Sequence, residues 1–258
     1  MEIIYIVIFG ILGTVIGSFL NVVIDRLPAD KSIVYPPSSC DACQHRLSWP
    51  DLFPVFSYLF LRGRCRYCKA KIPQRVFWVE LGTGLLIAFL FWRFGWQPIL
   101  AVSIVYSSVL IAIAIIDMKH QLILNKIVYP FLLIALVVNF FIPNLFSWHN
   151  LLFGLLGGAV GFLVLFLPAL IYRKGMGWGD VKMAGLIGLM TGFPNVIVAV
   201  FGGILLGGII AILLLLFKKK NRKEGIPFGP YLSIGTIIAL LWGTQIIHWY
   251  LHFSHLEK

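Results

Sequence analysis

The sequence predicts an all-α polytopic membrane protein of about eight transmembrane helices, with a small cytoplasmic four-cysteine module between the first and second. Three observations predict it. Of 258 residues, 60% are hydrophobic and only 12% are charged, about half the charge of an average soluble domain, and the mean hydropathy is +0.94. Apolar runs recur along the chain, most of them near the ~20 residues that a helix needs to cross roughly 30 Å of hydrocarbon. All four cysteines fall in the one long polar stretch.

The runs lie at about Ile3–Ile24, Val76–Phe94, Pro98–Ile116, Leu122–Ile142, Leu151–Tyr172, Val181–Thr191, Val196–Phe217 and Phe228–Tyr250. The opening MEIIYIVIFG has Glu2 and no basic residue before its apolar run, and no small-residue cleavage pattern ends that run. It therefore reads as a retained first span, residues 1–24, and not as a removable signal. The sixth run is short, which puts it low in the bundle or gives it an unwound N-terminal end near Gly175–Gly179. Residues 25–75 make the polar module, about fifty residues, a size that rarely folds without a metal or disulfides. Residues 76–258 make a seven-helix membrane core. The Lys218–Glu224 run reads as a short solvated turn. Glycines at helical spacing, Gly13/Gly17, Gly154/Gly158, Gly157/Gly161 and Gly203/Gly207, fit close helix contacts in a bilayer. Internal repeats are not apparent.

Basic residues test the topology, because short positive loops stay cytoplasmic. With the module inside, 19 of the 21 Lys and Arg residues fall on the cytoplasmic side, and only Arg93 and Lys258 fall outside. Both termini are then extracytoplasmic. The net charge of +11 is explained by topology and by attraction to an anionic inner leaflet. No nucleic-acid motif accompanies it, so no nucleic-acid partner is expected.

The cysteines form two pairs, Cys40-x2-Cys43 and Cys65-x2-Cys68, with 21 residues between them. Two such pairs supply four thiolates at the corners of a tetrahedron, the arrangement that a structural Zn2+ prefers. Two disulfides are the alternative, but the charge count places the module in a reducing compartment where disulfides seldom persist. A redox dithiol fits less well, since the pairs are duplicated and no βαβ pattern surrounds them. His45 lies near enough in sequence to serve as a ligand or to stand exposed.

Only ten residues are Asp or Glu, and Glu80, Asp117 and Asp180 sit in or at the ends of apolar runs. A carboxylate there is costly and points to function. In the eight-span topology, the third span ends at Asp117 near the cytoplasmic boundary, and the sixth begins just after Asp180 at the same depth. If also adjacent laterally, the two would titrate apart, one keeping its proton, and such a pair can activate water and protonate a leaving amine. Each alone also reads as a solvated helix-end residue. Around Asp180 the chain runs Gly175-Met-Gly177-Trp-Gly179-Asp180-Val-Lys182, whose alternating glycines let an extended chain come close. Lys182 reads as a positive-inside anchor or as a charge favouring ionised Asp180. Glu80 suits a helix N-terminal acid or a group that orients an amine. Asn21 and Arg26 are candidates for substrate or headgroup contact, and Arg26 fits an inner-leaflet anchor equally well.

At these residues the chain resembles the type IV prepilin leader peptidases, bifunctional membrane enzymes of the GxGD aspartic peptidase class. The matching stretches are Gly17-Ser-Phe-Leu-Asn-Val-Val-Ile-Asp-Arg-Leu-Pro28, Pro37-Ser-Ser-Cys-Asp-Ala-Cys43, Leu61-Arg-Gly-Arg-Cys-Arg-Tyr-Cys68, Val79-Glu-Leu81, Ile116-Asp117, Gly177-Trp-Gly-Asp-Val-Lys182 and Ile226-Pro-Phe-Gly-Pro230. Each is weak alone, but the ordered set is specific and covers nearly the whole chain. Two departures stand out. Ile123-Leu124-Asn125 replaces the family's Ile-Pro-Asp or Ile-Pro-Asn, and the tract before Glu80 lacks a proline.

The resemblance implies that Asp117 and Asp180 are the catalytic aspartates, supported by Gly177, Gly179 and Lys182. They would cut the basic leader from prepilins and pilin-like proteins at the cytoplasmic face of the bacterial inner membrane. It implies a second activity, methylation of the new N-terminal amine with S-adenosylmethionine, to which the four-cysteine module belongs and for which Glu80, Asn21 and Arg26 are candidates. The Pro227–Pro230 tract is expected to shape the start of the last span and line the active site. Rival classes are a proton-coupled transporter with relay carboxylates, which inverted repeats would favour, and a non-catalytic assembly scaffold.

Overall fold

The computed structural model describes residues 2–141, 148–171, 177–217 and 226–254. Among these residues every regular element is helical, and two isolated bridges lie in the cysteine module. In chain order come α1 (Glu2–Arg26), α2 (Phe56–Phe60), α3 (Gln74–Phe94), α4 (Pro98–His120), α5 (Asn125–Phe141), α6 (Trp148–Ile171), α7 (Trp178–Thr191), α8 (Asn195–Leu216) and α9 (Gly229–Phe253). Short 3-10 turns at Leu27–Ala29 and Trp49–Leu52 open and cross the module. The chain divides into two compact units, residues 1–108 and 109–258, and α4 contributes to both.

In the first unit α1 packs on α3, antiparallel, with glycines setting the register. A Cβ on Gly13 would fall 2.8 Å from Gly84 Cα, and one on Gly17 would fall 2.7 Å from Glu80 Cα. Lipid is as apolar as leucine, so close backbone packing has to do what water exclusion does in a soluble core. The seam continues through Asn21/Val76 to Asp25/Arg75, tied by Asn21 Nδ2 donating to the Val76 carbonyl at 3.1 Å and by an Arg75–Asp25 ion pair at 2.6 Å. At the other end Phe9 stacks on Phe91 with centroids 4.4 Å apart, and Trp96 meets both rings edge-on.

In the second unit α7 is the centre. Val181, Met183–Gly188 and Met190 are buried, and α5, α6, α8 and α9 pack around them. Gly157 and Gly161 of α6 face Gly188 and Ala184 of α7, Gly203 and Gly207 of α8 face Leu232 of α9 and Phe228 just before it, and Gly154 faces Asn139 of α5.

All eight expected runs form helices, but among the described residues only α1, α3, α4, α6, α8 and α9 are long and apolar enough to cross a membrane. α5 has 17 residues and α7 has 14, and 14 residues give about 21 Å of helix. Protein, not lipid, surrounds α7, so nothing requires it to match the bilayer. The run expected from Leu122 starts later, at Asn125, because Gln121 turns the chain with φ +51°. Ile142, Tyr172–Met176 and the Lys218–Glu224 run, with most of the basic residues behind the topology count in this unit, lie outside the described residues.

A Cβ at Gly17 meets backbone, whereas one at Gly82 meets nothing within 4 Å. Gly17→Ala is therefore expected to cost about 1–3 kcal/mol by overpacking, and Gly82→Ala nothing or a small gain from helix propensity. Thermal unfolding in detergent or nanodiscs separates the two.

Candidate functional site

Asp117 stands in the last turn of α4 and is 5% exposed. Its Oδ2 accepts the backbone N–H of Gly229 at 2.8 Å. Gly229 is the first residue of α9, where N–H groups have no partner within the helix and the helix dipole is positive. A Cβ there would lie 2.8 Å from Oδ2 and 3.1 Å from Asp117 Cβ, so α9 can start against this carboxylate only with glycine. The Pro227–Pro230 tract thus reaches Asp117 through one specific atom, a detail that its sequence does not reveal.

Asp180 lies in the first turn of α7, and its N–H donates to the Gly177 carbonyl at 3.1 Å. The side chain turns back over Gly177, where a Cβ would meet Oδ2 at 3.1 Å, and the Gly177 backbone also bonds to it. Asp117 and Asp180 feel each other's charge, so the second unit brings the two aspartates together from the ends of different helices. Gly179 permits a second close approach, since a Cβ on it would fall 2.9 Å from Ile123 Cβ. Lys182 points elsewhere. Its Nζ donates to Asn125 Oδ1 at 3.2 Å and lies 5.4 Å from the centre of the Tyr129 ring, clamping α7 to the start of α5. Asn125, which follows the Leu124 that stands in place of the expected proline, is thus the partner of Lys182. The preceding Leu124 carbonyl accepts the first bonds of α5.

In the first unit the four cysteine Sγ atoms lie within 4.8 Å of one another, and none is in a disulfide. Cys40 and Cys68 Sγ are 3.7 Å apart, against an edge of about 3.8 Å for a tetrahedron of thiolates 2.3 Å from zinc. Each pair sits in the same small loop. Cys40 N–H donates to His45 O and Gln44 N–H to Cys40 O, and Cys65 and Lys69 make the matching bonds to Ala70 and Cys65. Gln44 and Lys69 both have positive φ, and the bridges Ser39–Arg46 and Arg64–Lys71 close both loops. This local duplication escapes the sequence apart from the cysteine spacing. The N–H groups of Cys68 and Tyr67 pull the Cys65 thiol down to about 7, which favours the thiolate that a metal binds. His45 lies outside the cysteine group; its ring packs tilted against Tyr67 with centroids 3.8 Å apart. Asp51 braces the second loop, accepting from Arg66 Nε at 2.6 Å and Tyr67 at 3.2 Å. Burial works to raise its carboxyl, but the bonds from Ser48 and Arg66 outweigh that and hold it below the ordinary range.

Glu80 is 5% exposed on α3 and accepts the Val55 N–H at 2.7 Å. Ser18 of α1 is its second hydrogen-bond partner. Asn21 donates to the carbonyls of Gly17 and Val76, which places it one turn from Glu80 on the same seam. Arg26 donates to the carbonyls of Ser32 and Pro37 at 3.1 and 3.5 Å, so it shapes the first loop of the module.

Two family profiles cover most of the chain. One described as the bacterial peptidase A24 N-terminal domain matches residues 11–94, and one described as the type IV leader peptidase family matches residues 104–212. Among curated relatives, the chain is 34% identical to the prepilin leader peptidase/N-methyltransferase of Stutzerimonas stutzeri, covering 95% of this chain and 93% of that protein. It is 35% identical to the protein of the same description from Bacillus subtilis, covering 96% and 98%. The Pseudomonas aeruginosa protein is 34% identical over 95% and 92%. No solved structure matches the chain.

The thiolate cluster yields a direct measurement. Cobalt added to the metal-free protein is expected to bind once per chain with the visible absorption of a tetrahedral thiolate site, and Cys65→Ser is expected to weaken or abolish that signal.

Proposed function

Since the chain belongs to the type IV leader peptidase family, we propose that it removes the leader from prepilins and pilin-like proteins through Asp117 and Asp180, then methylates the new N-terminal amine. The observation that carries this reading is the pairing of the two aspartates, with Asp117 Oδ2 engaged by the Gly229 N–H. One aspartate takes a proton from water as the oxygen adds to the scissile carbonyl. The other supplies a proton to the leaving amine as the C–N bond breaks. A helical substrate hides its carbonyls in its own hydrogen bonds and has to unwind first. Gly177 and Gly179 suit that step, because an extended chain can lie against backbone that carries no side chain.

The same reading assigns a bacterial inner-membrane location with eight crossings, α5 and α7 being the short ones, and both termini extracytoplasmic. Residues 25–75 are then a cytoplasmic module held by structural Zn2+ on Cys40, Cys43, Cys65 and Cys68, and residues 76–258 are the seven-helix peptidase core. A reducing cytoplasm and the tetrahedral spacing of the thiols support zinc over disulfides. S-adenosylmethionine supplies an activated methyl group when bound. The acceptor has to be a neutral amine, and its ordinary pKa of about 7.7–8.0 requires only modest help. Glu80 and Asn21 are the residues this reading offers for the substrate or methyl-donor site, while Arg26 holds the loop beside them. No observation favours the transporter or the scaffold.

Mass spectrometry of a co-expressed prepilin tests both activities. The native enzyme is expected to leave a shortened product carrying one added methyl group. Asp117→Asn or Asp180→Asn is expected to leave the full leader in place, and a fully cleaving Asp180→Asn variant would sink the assignment. Gly229→Ala should slow cleavage about tenfold to a hundredfold by displacing Asp117, with the added methyl group retained on whatever product forms.

A further inference from the structure

Two buried polar atoms on the α1/α3 seam have no partner, Asn21 Oδ1 and Arg75 Nη1. Asn21 is 6% exposed, and its orientation is fixed. Nδ2 serves the carbonyls of Gly17 and Val76 at 3.3 and 3.1 Å, so a flipped amide would set an oxygen against two acceptors. Arg75 is held by Nη2 on Asp25 at 2.6 Å. Buried groups in folded proteins are nearly always paired, so an orphaned acceptor and an orphaned donor on one seam point to something that satisfies both. Arg75 immediately precedes Val76, the residue that Asn21 holds, and Asp25 lies one helical turn beyond Asn21 on α1.

We propose that this seam binds the α-amino-acid end of the methyl donor, with the ammonium on Asn21 Oδ1 and the carboxylate on Arg75 Nη1. The proposal rests on the methyltransferase half of the function above and gives it a site. An α-amino acid carries donor and acceptor on one carbon, and the two orphaned atoms belong to neighbouring rungs of the seam, Asn21/Val76 and Asp25/Arg75. The N-terminus of a cleaved pilin offers an ammonium but no carboxylate beside it, so it satisfies only the first orphan.

Glu80 completes the site. Side chains on a helix lean toward its N-terminus, and because α1 and α3 are antiparallel the heads of Asn21 and Glu80 lean toward each other. Glu80 is a second acceptor for the ammonium. Asp25 offsets Arg75, which leaves Glu80 to balance the donor's net positive charge. The present partner of Glu80 is exchangeable: Val55 has φ +62° and ψ −53° in a three-residue turn closed by Phe56 N–H on the Pro54 carbonyl at 2.6 Å. That conformation is strained, and more so for a β-branched residue. Pro54 and Val55 are themselves buried, so this turn helps close off the Glu80 side of the seam. An ammonium that takes the place of Val55 N–H at Glu80 releases the strain and opens access.

The test uses the full-length protein in nanodiscs and isothermal titration with three probes. S-adenosylhomocysteine keeps the amino-acid end, 5′-methylthioadenosine lacks it, and a leaderless pilin peptide offers only the amine. Asn21→Ala and Arg75→Lys are each expected to weaken S-adenosylhomocysteine about tenfold or more, while 5′-methylthioadenosine binds as in the native protein and reports an intact fold. Arg75→Lys keeps the Asp25 ion pair and removes Nη1, so it decides the matter if Asn21→Ala does not fold. Unchanged S-adenosylhomocysteine binding in the variants, parallel loss of both nucleosides, or loss confined to the peptide overturns the proposal. A native protein that methylates a cleaved prepilin while the variants bind normally overturns this site alone. A native protein that neither binds S-adenosylhomocysteine nor methylates overturns the methyl-transfer reading and this site with it.

Discussion

The second unit depends on keeping two carboxylates, Asp117 and Asp180, within reach of each other's charge at the ends of apolar helices. Such groups are costly away from water, and the surrounding backbone offsets the cost. The first N–H of α9 meets Asp117, and the Gly177 backbone meets Asp180. Gly229 leaves the space that the Asp117 carboxylate fills, and at Gly177 a Cβ would crowd Asp180 Oδ2 at 3.1 Å. Helix α7 can then be short and largely wrapped beyond its first turn: it carries Asp180, and α5, α6, α8 and α9 pack around it.

The first unit solves a different problem. A module of some fifty residues has little core of its own, and two duplicated loops bring four sulfurs within 4.8 Å so that a metal can stand in for one. The module is also tied to the helices beneath it. Glu80 holds Val55, Arg26 holds Ser32 and Pro37, and Arg75 holds Asp25. The residues proposed for methyl transfer are therefore also residues that fasten the module to the α1/α3 seam.

Much of this was legible in advance. Low charge and long apolar runs dictate helices, since a chain in lipid has to satisfy its backbone internally. Cys-x2-Cys twice in one polar stretch dictates a four-thiol site, because each pair already shares a tight loop. Glycines three or four apart announce helix contacts, and Gly13, Gly17, Gly157, Gly161 and Gly203 each face another helix. Span count was less legible. Apolar composition marks burial equally well in lipid and in protein, so composition alone does not say whether the 14-residue α7 crosses the bilayer.

The sequence by itself determined the helical class, the cysteine site, the family and the residue types at Asp117, Asp180 and Glu80, because these depend on composition, spacing and ordered motifs. Only the tertiary structure decided partners. It set Asp117 against Gly229, turned Lys182 toward Asn125 and Tyr129, packed His45 against Tyr67, and left Asn21 Oδ1 and Arg75 Nη1 unpaired. Contacts between residues far apart in the chain follow from how helices pack, and no local pattern carries that information.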